Sequence, residues 1–133
     1  MEEDTWNEAP PLLDGRNYHT SCAIKSQNGN IKSIIAIGGD TTEEMFSKST
    51  EIYKIRENKW IRGPDLPIGV RSAACVAVPP KININYCCLV IGGYSPEEMF
   101  SSNIYALDNN LTAWFLIGRL KTGRRNHIAL SLP

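Results

Sequence analysis

Few side chains in this sequence of 133 residues have the chemistry for catalysis or metal binding: four cysteines, two histidines, and arginines set among carboxylates. Cys22, Cys75, Cys87 and Cys88 lie in apolar or small-residue runs that read as strands. Neighbouring residues of a strand point to opposite faces, so the adjacent pair Cys87-Cys88 makes a poor chelate. No Cys-x-x-Cys spacing occurs, and the four read as reduced packing cysteines ahead of disulfide partners or metal ligands. His19 and His127 each stand thirteen residues after a tryptophan, Trp6 and Trp114, while Ala73 holds the same place after Trp60. A catalytic centre breaks symmetry, so two histidines at one recurring position point to a structural role. There is no Ser-His-Asp order, phosphate-binding glycine loop or His-x-x-x-His spacing. The expectation is a protein that is not an enzyme and carries no cofactor or metal.

The spacing of those tryptophans leads to the elements that position everything else. Trp6, Trp60 and Trp114 are separated by 54 and 54 residues, and Gly38-Gly39 returns as Gly92-Gly93 at the same interval. Leu12, Leu66 and Leu120 follow each tryptophan by six and Gly15, Gly69 and Gly123 by nine, with Arg16, Arg71 and Arg124 next. The pentapeptide Glu43-Glu44-Met45-Phe46-Ser47 recurs unchanged as Glu97-Glu98-Met99-Phe100-Ser101. A period of this length is the mark of a repeat architecture.

Inside one repeat, short β-branched or aromatic runs alternate with Gly, Pro, Asn and Asp clusters, and no long stretch has helical period. Four strands fit each unit: Thr20 to Ile24 and Ala73 to Val78, Ile34 to Ile37 and Cys88 to Ile91, Glu51 to Ile55 and Asn103 to Leu107, then the segments around Trp60 and Trp114. Asn28-Gly29-Asn30 is a hairpin turn signal, matched in the next unit by Pro79-Pro80 with Asn83 and Asn85. Tyr53 and Tyr105 are 52 residues apart, which aligns the tyrosines if one loop shortens by two residues and the next lengthens by two.

A four-stranded antiparallel meander repeated at about fifty residues is a propeller blade, and the order Gly-Gly, Tyr, Trp resembles the kelch repeat. The fold class expected is therefore all-β, a kelch-type β-propeller of about two and a quarter blades in an incomplete ring. Residues 1–15 end a preceding blade, 16–70 and 71–123 are full repeats, and 124–133 open a following blade. Gly38, Gly39, Gly92 and Gly93, with Tyr53, Tyr105, Trp6, Trp60 and Trp114, form the structural blade motif. A packed Tyr or Trp buries about 150 to 250 Å², which places these aromatics between blades. The Trp-Asp and Gly-His signatures of the rival WD-type propeller are missing.

Strands joined in sequence put the second-to-third and fourth-to-first loops on one face of the disc. In kelch adaptors, the resemblance implies, that face takes a ligand peptide through the residue after the Gly pair and the arginine opening the first strand. These are Asp40, Tyr94, Arg16, Arg71 and Arg124 or Arg125. Guanidinium groups capture carboxylates bidentately, so an acidic or phosphorylated peptide suits them. The alternative is that these arginines pair with loop carboxylates such as Asp14 or Asp65. Met45, Phe46, Met99 and Phe100 are expected to fold back over the blade junctions, because solvated apolar loops are unfavourable, the alternative being that they present an adhesive apolar patch.

Bulk properties narrow the partners. With 14 basic and 14 acidic residues the formal charge is zero, which argues against nucleic acid and anionic membranes. The acidic start Met1-Glu2-Glu3-Asp4 lacks the pattern of a secretory signal, so the cytoplasm is the default compartment. Kelch resemblance implies a protein-protein interaction module, in the setting of a cullin-RING ubiquitin ligase adaptor, through a BTB domain elsewhere in a longer parent, or of an actin-binding cytoskeletal protein. A galactose-oxidase-like copper enzyme would need histidine and tyrosine ligands converging on the axis, which two repeat-equivalent histidines do not provide. Two complete units leave open ends, since propellers have about four to eight blades. The preferred explanation is a piece of a longer kelch protein. Self-association and blades borrowed from another chain are the alternatives, and closure of the ring by its own termini would give only three blades.

Overall fold

The structure, a computed structural model, describes residues 4–83 and 85–132. Residues 1–3, 84 and 133, which fall in the expected first, third and last segments, lie outside the described residues. Among the described residues ten strands form: β1 Arg16–Asn17, β2 Thr20–Lys25, β3 Ile31–Ile37, β4 Asp40–Thr41, β5 Thr50–Lys54, β6 Lys59–Arg62, β7 Ala74–Ala77, β8 Tyr86–Ile91, β9 Asn103–Asp108 and β10 Trp114–Arg119. They make two four-stranded antiparallel sheets in sequence order, β2-β3-β5-β6 and β7-β8-β9-β10, and β1 pairs with β4 in a small ribbon. The chain is all-β, and each large sheet is one propeller blade in a ring that does not close.

Each strand follows from its residues. The alternation of Ile24, Ile35, Ile37 and Ile52 toward one face of the first blade, all 2% exposed or less, builds a core against Cys88 and Val90 of the second. The turn from β2 to β3 closes as Gly29 takes a φ of 85°, with the Gly29 amide donating to the Ser26 carbonyl at 2.9 Å. The two blades meet most closely through their first strands, β2 and β7, which form the inner side of the partial ring.

The glycine pair joins one blade to the next. Its amides donate across the blade boundary, Gly39 to the Val70 carbonyl and Gly93 to the Arg124 carbonyl, both at 2.8 Å. At Gly39 φ is 84°, and a Cβ there would lie 2.3 Å from the Asn17 carbonyl oxygen, so no side chain fits. The tryptophans complete the joint: the Trp60 indole donates to the Pro10 carbonyl at 2.9 Å and Trp114 to the Pro64 carbonyl at 3.0 Å. Each blade's fourth strand thus holds the linker that arrives from the preceding blade.

Strand register corrects the alignment of the tyrosines. Ala36 pairs with Glu51 and Val90 with Tyr105, while Tyr53 pairs with Trp60 and Leu107 with Trp114. The 54-residue period therefore runs unbroken through both blades: Tyr105 stands at the position of Glu51, and Leu107 at that of Tyr53. The compensating loop changes inferred from the tyrosine spacing do not exist. Hydrogen-bond register, which cannot slip by two residues without moving every neighbour, fixes the correspondence.

At the ends, residues 4–15 and 124–132 form no strand. Trp6, expected in blade packing, is fully exposed, as are most of Ile128, Leu130 and Leu132. Among the described residues no strand pairs with these segments, and a lone strand is not stable in water.

Substituting Gly39→Ala is expected to lower the free energy of unfolding by more than about 3 kcal/mol, through the backbone clash and the left-handed φ. Gly29→Ala, which meets open space, is expected to cost about 1 kcal/mol. Urea denaturation of both variants checks the contrast.

Candidate functional site

The loops after β3 and β8 share one face of the blades with the linkers 63–73 and 120–126, because the glycine pairs at their bases dock on those linkers. Ser72 donates its amide to the Tyr18 carbonyl and Asn126 to the Ser72 carbonyl, each at 2.9 Å. Tyr18, Ser72 and Asn126 also share a left-handed φ of 53°, 55° and 54°. This backbone ladder assigns the arginines anew: Arg16, Val70 and Arg124 occupy one recurring position, and Asn17, Arg71 and Arg125 the next. Reading Arg16, Arg71 and Arg124 as equivalent is corrected, because the first linker is one residue shorter than a strict match of arginines assumes.

Arg16 does not face a ligand. Its guanidinium is wholly buried and donates to the Gly38 carbonyl (2.9 Å), the Ser49 carbonyl (3.1 Å), the Ser49 hydroxyl (3.2 Å) and Glu51 Oε1 (2.6 Å). Glu51, equally buried, also accepts the amides of Leu13 at 2.6 Å and Asp14 at 3.0 Å. A buried charge is tolerated only when paired and hydrogen-bonded in this way. Asp14, expected as a candidate partner for the strand-opening arginines, pairs with Arg62 of β6, whose hydrogen bond holds the Asp14 carboxyl below its usual range. In the second blade Val70 and Tyr105 stand where Arg16 and Glu51 stand in the first, and the Tyr105 hydroxyl accepts from the Asn103 amide at 3.2 Å. An ion pair in one blade is replaced by an apolar and phenolic pair in the other.

Arg71 and Asp40 do come together on the loop face, 2.7 Å apart and only partly exposed. Asp40 Oδ1 also accepts the Phe46 amide at 3.0 Å. Above this pair the Arg71 guanidinium lies 4.6 Å from the Phe46 ring, 5.1 Å from Tyr94 and 5.5 Å from Tyr18. Phe46 and Tyr94 pack edge to face with centroids 5.0 Å apart. Arg125 repeats the arrangement one blade on, 4.8 Å from Tyr94 and 5.2 Å from Phe100. The result is a row in which two guanidinium groups, Arg71 and Arg125, sit among four aromatic rings, Tyr18, Phe46, Tyr94 and Phe100, along one face.

Phe46 covers the blade junction as expected, whereas Met45, Met99 and Phe100 are more than half exposed. Arg125 has no ion-pair partner among the described residues. Arg124 is exposed; its side chain donates to the nearby Thr122 carbonyl at 3.5 Å, its backbone amide donates to the Ser101 carbonyl at 3.1 Å, and its carbonyl receives Gly93. His19 and His127 sit beside the glycine pairs at equivalent positions, as the sequence implies. Burial holds the His127 imidazole below its ordinary pKa, and neither of its ring nitrogens finds a hydrogen-bond partner among the described residues.

The four cysteines are free thiols packed in or against the core, and three of them come together. Cys22 of β2, Cys75 of β7 and Cys88 of β8 bring their sulfurs within 4.8 Å of one another at the blade junction, with Cys75 3.2 Å from Cys22. Hydrogen bonds from Cys75 and Cys88 pull the Cys22 thiol down, and the bond to Cys22, together with burial, holds the other two up. Cys87 sits at a register shift in β8, with its sulfur turned toward the Leu107 and Asp108 carbonyls.

Residues that sequence reasoning missed are Glu51, Tyr18 and the ring of Phe46 as a guanidinium platform. Glu51 was legible in principle: a strict 54-residue alignment puts Arg16 with Glu51 against Val70 with Tyr105, a paired exchange of charge for apolar surface.

No family model matches the chain. An F-box/kelch-repeat protein of Arabidopsis thaliana is 26% identical over 110 residues, which cover 83% of this chain and 28% of that protein. The chain thus spans little more than a quarter of the length of the relative, and the likeness supports a kelch-like repeat.

Glu51→Ala is expected to cost about 3–5 kcal/mol, because it strands a buried guanidinium. The double exchange Arg16→Val with Glu51→Tyr, which copies the second blade, is expected to cost less than Glu51→Ala alone. A double-mutant cycle in urea measures the coupling. Lowering the pH from 7 toward 5 is expected to reduce stability, since His127 has a folded pKa below its unfolded one and the unfolded chain takes up the proton first. Thermal melts of His127→Gln, with a shallower decline over that range, check this.

Proposed function

We propose that the chain is a sector of a kelch-like propeller whose work is to bind another protein, and that the loop face carrying Arg71, Tyr94 and Arg125 takes an acidic or phosphorylated peptide. One observation carries the reading: the Arg125 guanidinium lies over Tyr94 and Phe100, 4.8 and 5.2 Å from their ring centroids, and pairs with no carboxylate among the described residues. A guanidinium fixed on aromatic faces loses little freedom on binding, and its fork matches a carboxylate or phosphate. Arg71 and Asp40 flank it as a pair that a stronger anion would compete to open. Arg16, inside the blade, belongs to the scaffold and not to this surface.

The similarity to an F-box/kelch-repeat protein supports a place in substrate recognition for a cullin-RING ubiquitin ligase, with the scaffold-binding part outside these residues. The reading assigns no catalysis to this chain and places it in the cytoplasm.

Binding to an array of acidic and phosphorylated peptides tests the proposal. Arg125→Ala and Arg71→Ala are each expected to weaken capture about tenfold, and capture is expected to fall with added salt, while Arg124→Ala leaves it unchanged. Equal capture by all four proteins removes the arginines from the site, and sedimentation of the chain with actin filaments would instead assign a cytoskeletal role.

A further inference from the structure

We propose that Cys22, Cys75 and Cys88 form a binding site for a thiophilic monovalent cation, copper(I), that bridges the two blades at the inner side of the ring.

The placement follows from strand alternation. Cys22 pairs with Ile35 on the face of the first blade that meets the second. Cys75 pairs with Val90 and Cys88 with Ala77, which puts both thiols on the facing side of the second blade. Ser21 stands at the repeat position of Cys75, so the first blade offers its thiol one residue later and therefore on the opposite face. That one-residue offset is what makes the sulfurs meet instead of pointing away from each other.

Three thiolates about 2.3 Å from a central ion are about 4 Å apart when trigonal. The three sulfurs already lie within 4.8 Å of one another, with Cys22 and Cys75 at 3.2 Å, so small side-chain shifts suffice. Soft thiolates select copper(I), zinc or iron-sulfur centres. Zinc takes four ligands in a structural site, and among the described residues no fourth histidine, cysteine or carboxylate joins the three. Copper(I) is content with three. Cys88 is fully buried and Cys22 and Cys75 are partly exposed, which gives an ion a route in from the inner side while the third ligand stays fixed. On binding, each sulfur exchanges its proton for a bond to the ion, the protons pass to solvent, and no electron is transferred.

Anaerobic titration of the reduced 133-residue chain with copper(I), against a chromophoric chelator, tests the site. One equivalent retained per chain is expected, with affinity falling at least a hundredfold in Cys22→Ser, Cys75→Ser and Cys88→Ser and unchanged in Cys87→Ser. Copper(I) is also expected to raise the melting temperature of the unsubstituted chain, a readout that stands even where a serine variant fails to fold. Retention that ignores the three substitutions, copper held in several loose equivalents, or a Cys22–Cys75 disulfide formed by peroxide in a chain that retains no copper(I) would each overturn the proposal.

Discussion

Everything in this structure hangs on the close approach of one blade's glycine pair to the backbone that opens the next. With no Cβ at Gly39 or Gly93, the amides reach the carbonyls of Val70 and Arg124, and the blades lock in a single register. That contact sets the phase of the linker, and the phase of the linker sets which side chains look outward. Because Val70 gives up its carbonyl to Gly39, Arg71 is carried onto Phe46 and Tyr94 on the loop face. A shift of one residue would turn the arginine inward, where Arg16 sits in the first blade.

The two blades solve the same packing problem with different chemistry. In the first, Arg16 and Glu51 are entirely withdrawn from water and satisfy the ends of β3 and β5 together with the incoming amides of Leu13 and Asp14. In the second, Val70 and Tyr105 fill equivalent space with mostly apolar surface. A buried ion pair is often no more stabilising than apolar residues of like volume. What the charged version adds is directionality: one carboxylate holds a guanidinium and the two linker amides of Leu13 and Asp14.

The period of 54, the strands and the glycine joint were all legible from residue type and spacing, because they rest on local chemistry that recurs at a fixed interval. The site was only partly legible. Asp40, Arg71, Tyr94 and Arg125 lie together on the loop face, yet Arg16 does not, since its identity at the blade opening is the same whether its side chain turns out or in. Matching Tyr53 to Tyr105 hid the Glu51 exchange, as similarity of residue type outweighed constancy of interval.

By itself the sequence determined the repeat, its four-stranded units and the face on which loops gather, because strand alternation and turn residues act over a few positions. Tertiary structure decided which charges are used up inside, which guanidinium groups lie on aromatic rings, and that three cysteines from three strands share one point. Those outcomes depend on how two sheets are phased against each other across the glycine joint. No interval along the chain between Cys22, Cys75 and Cys88 encodes a distance between blades.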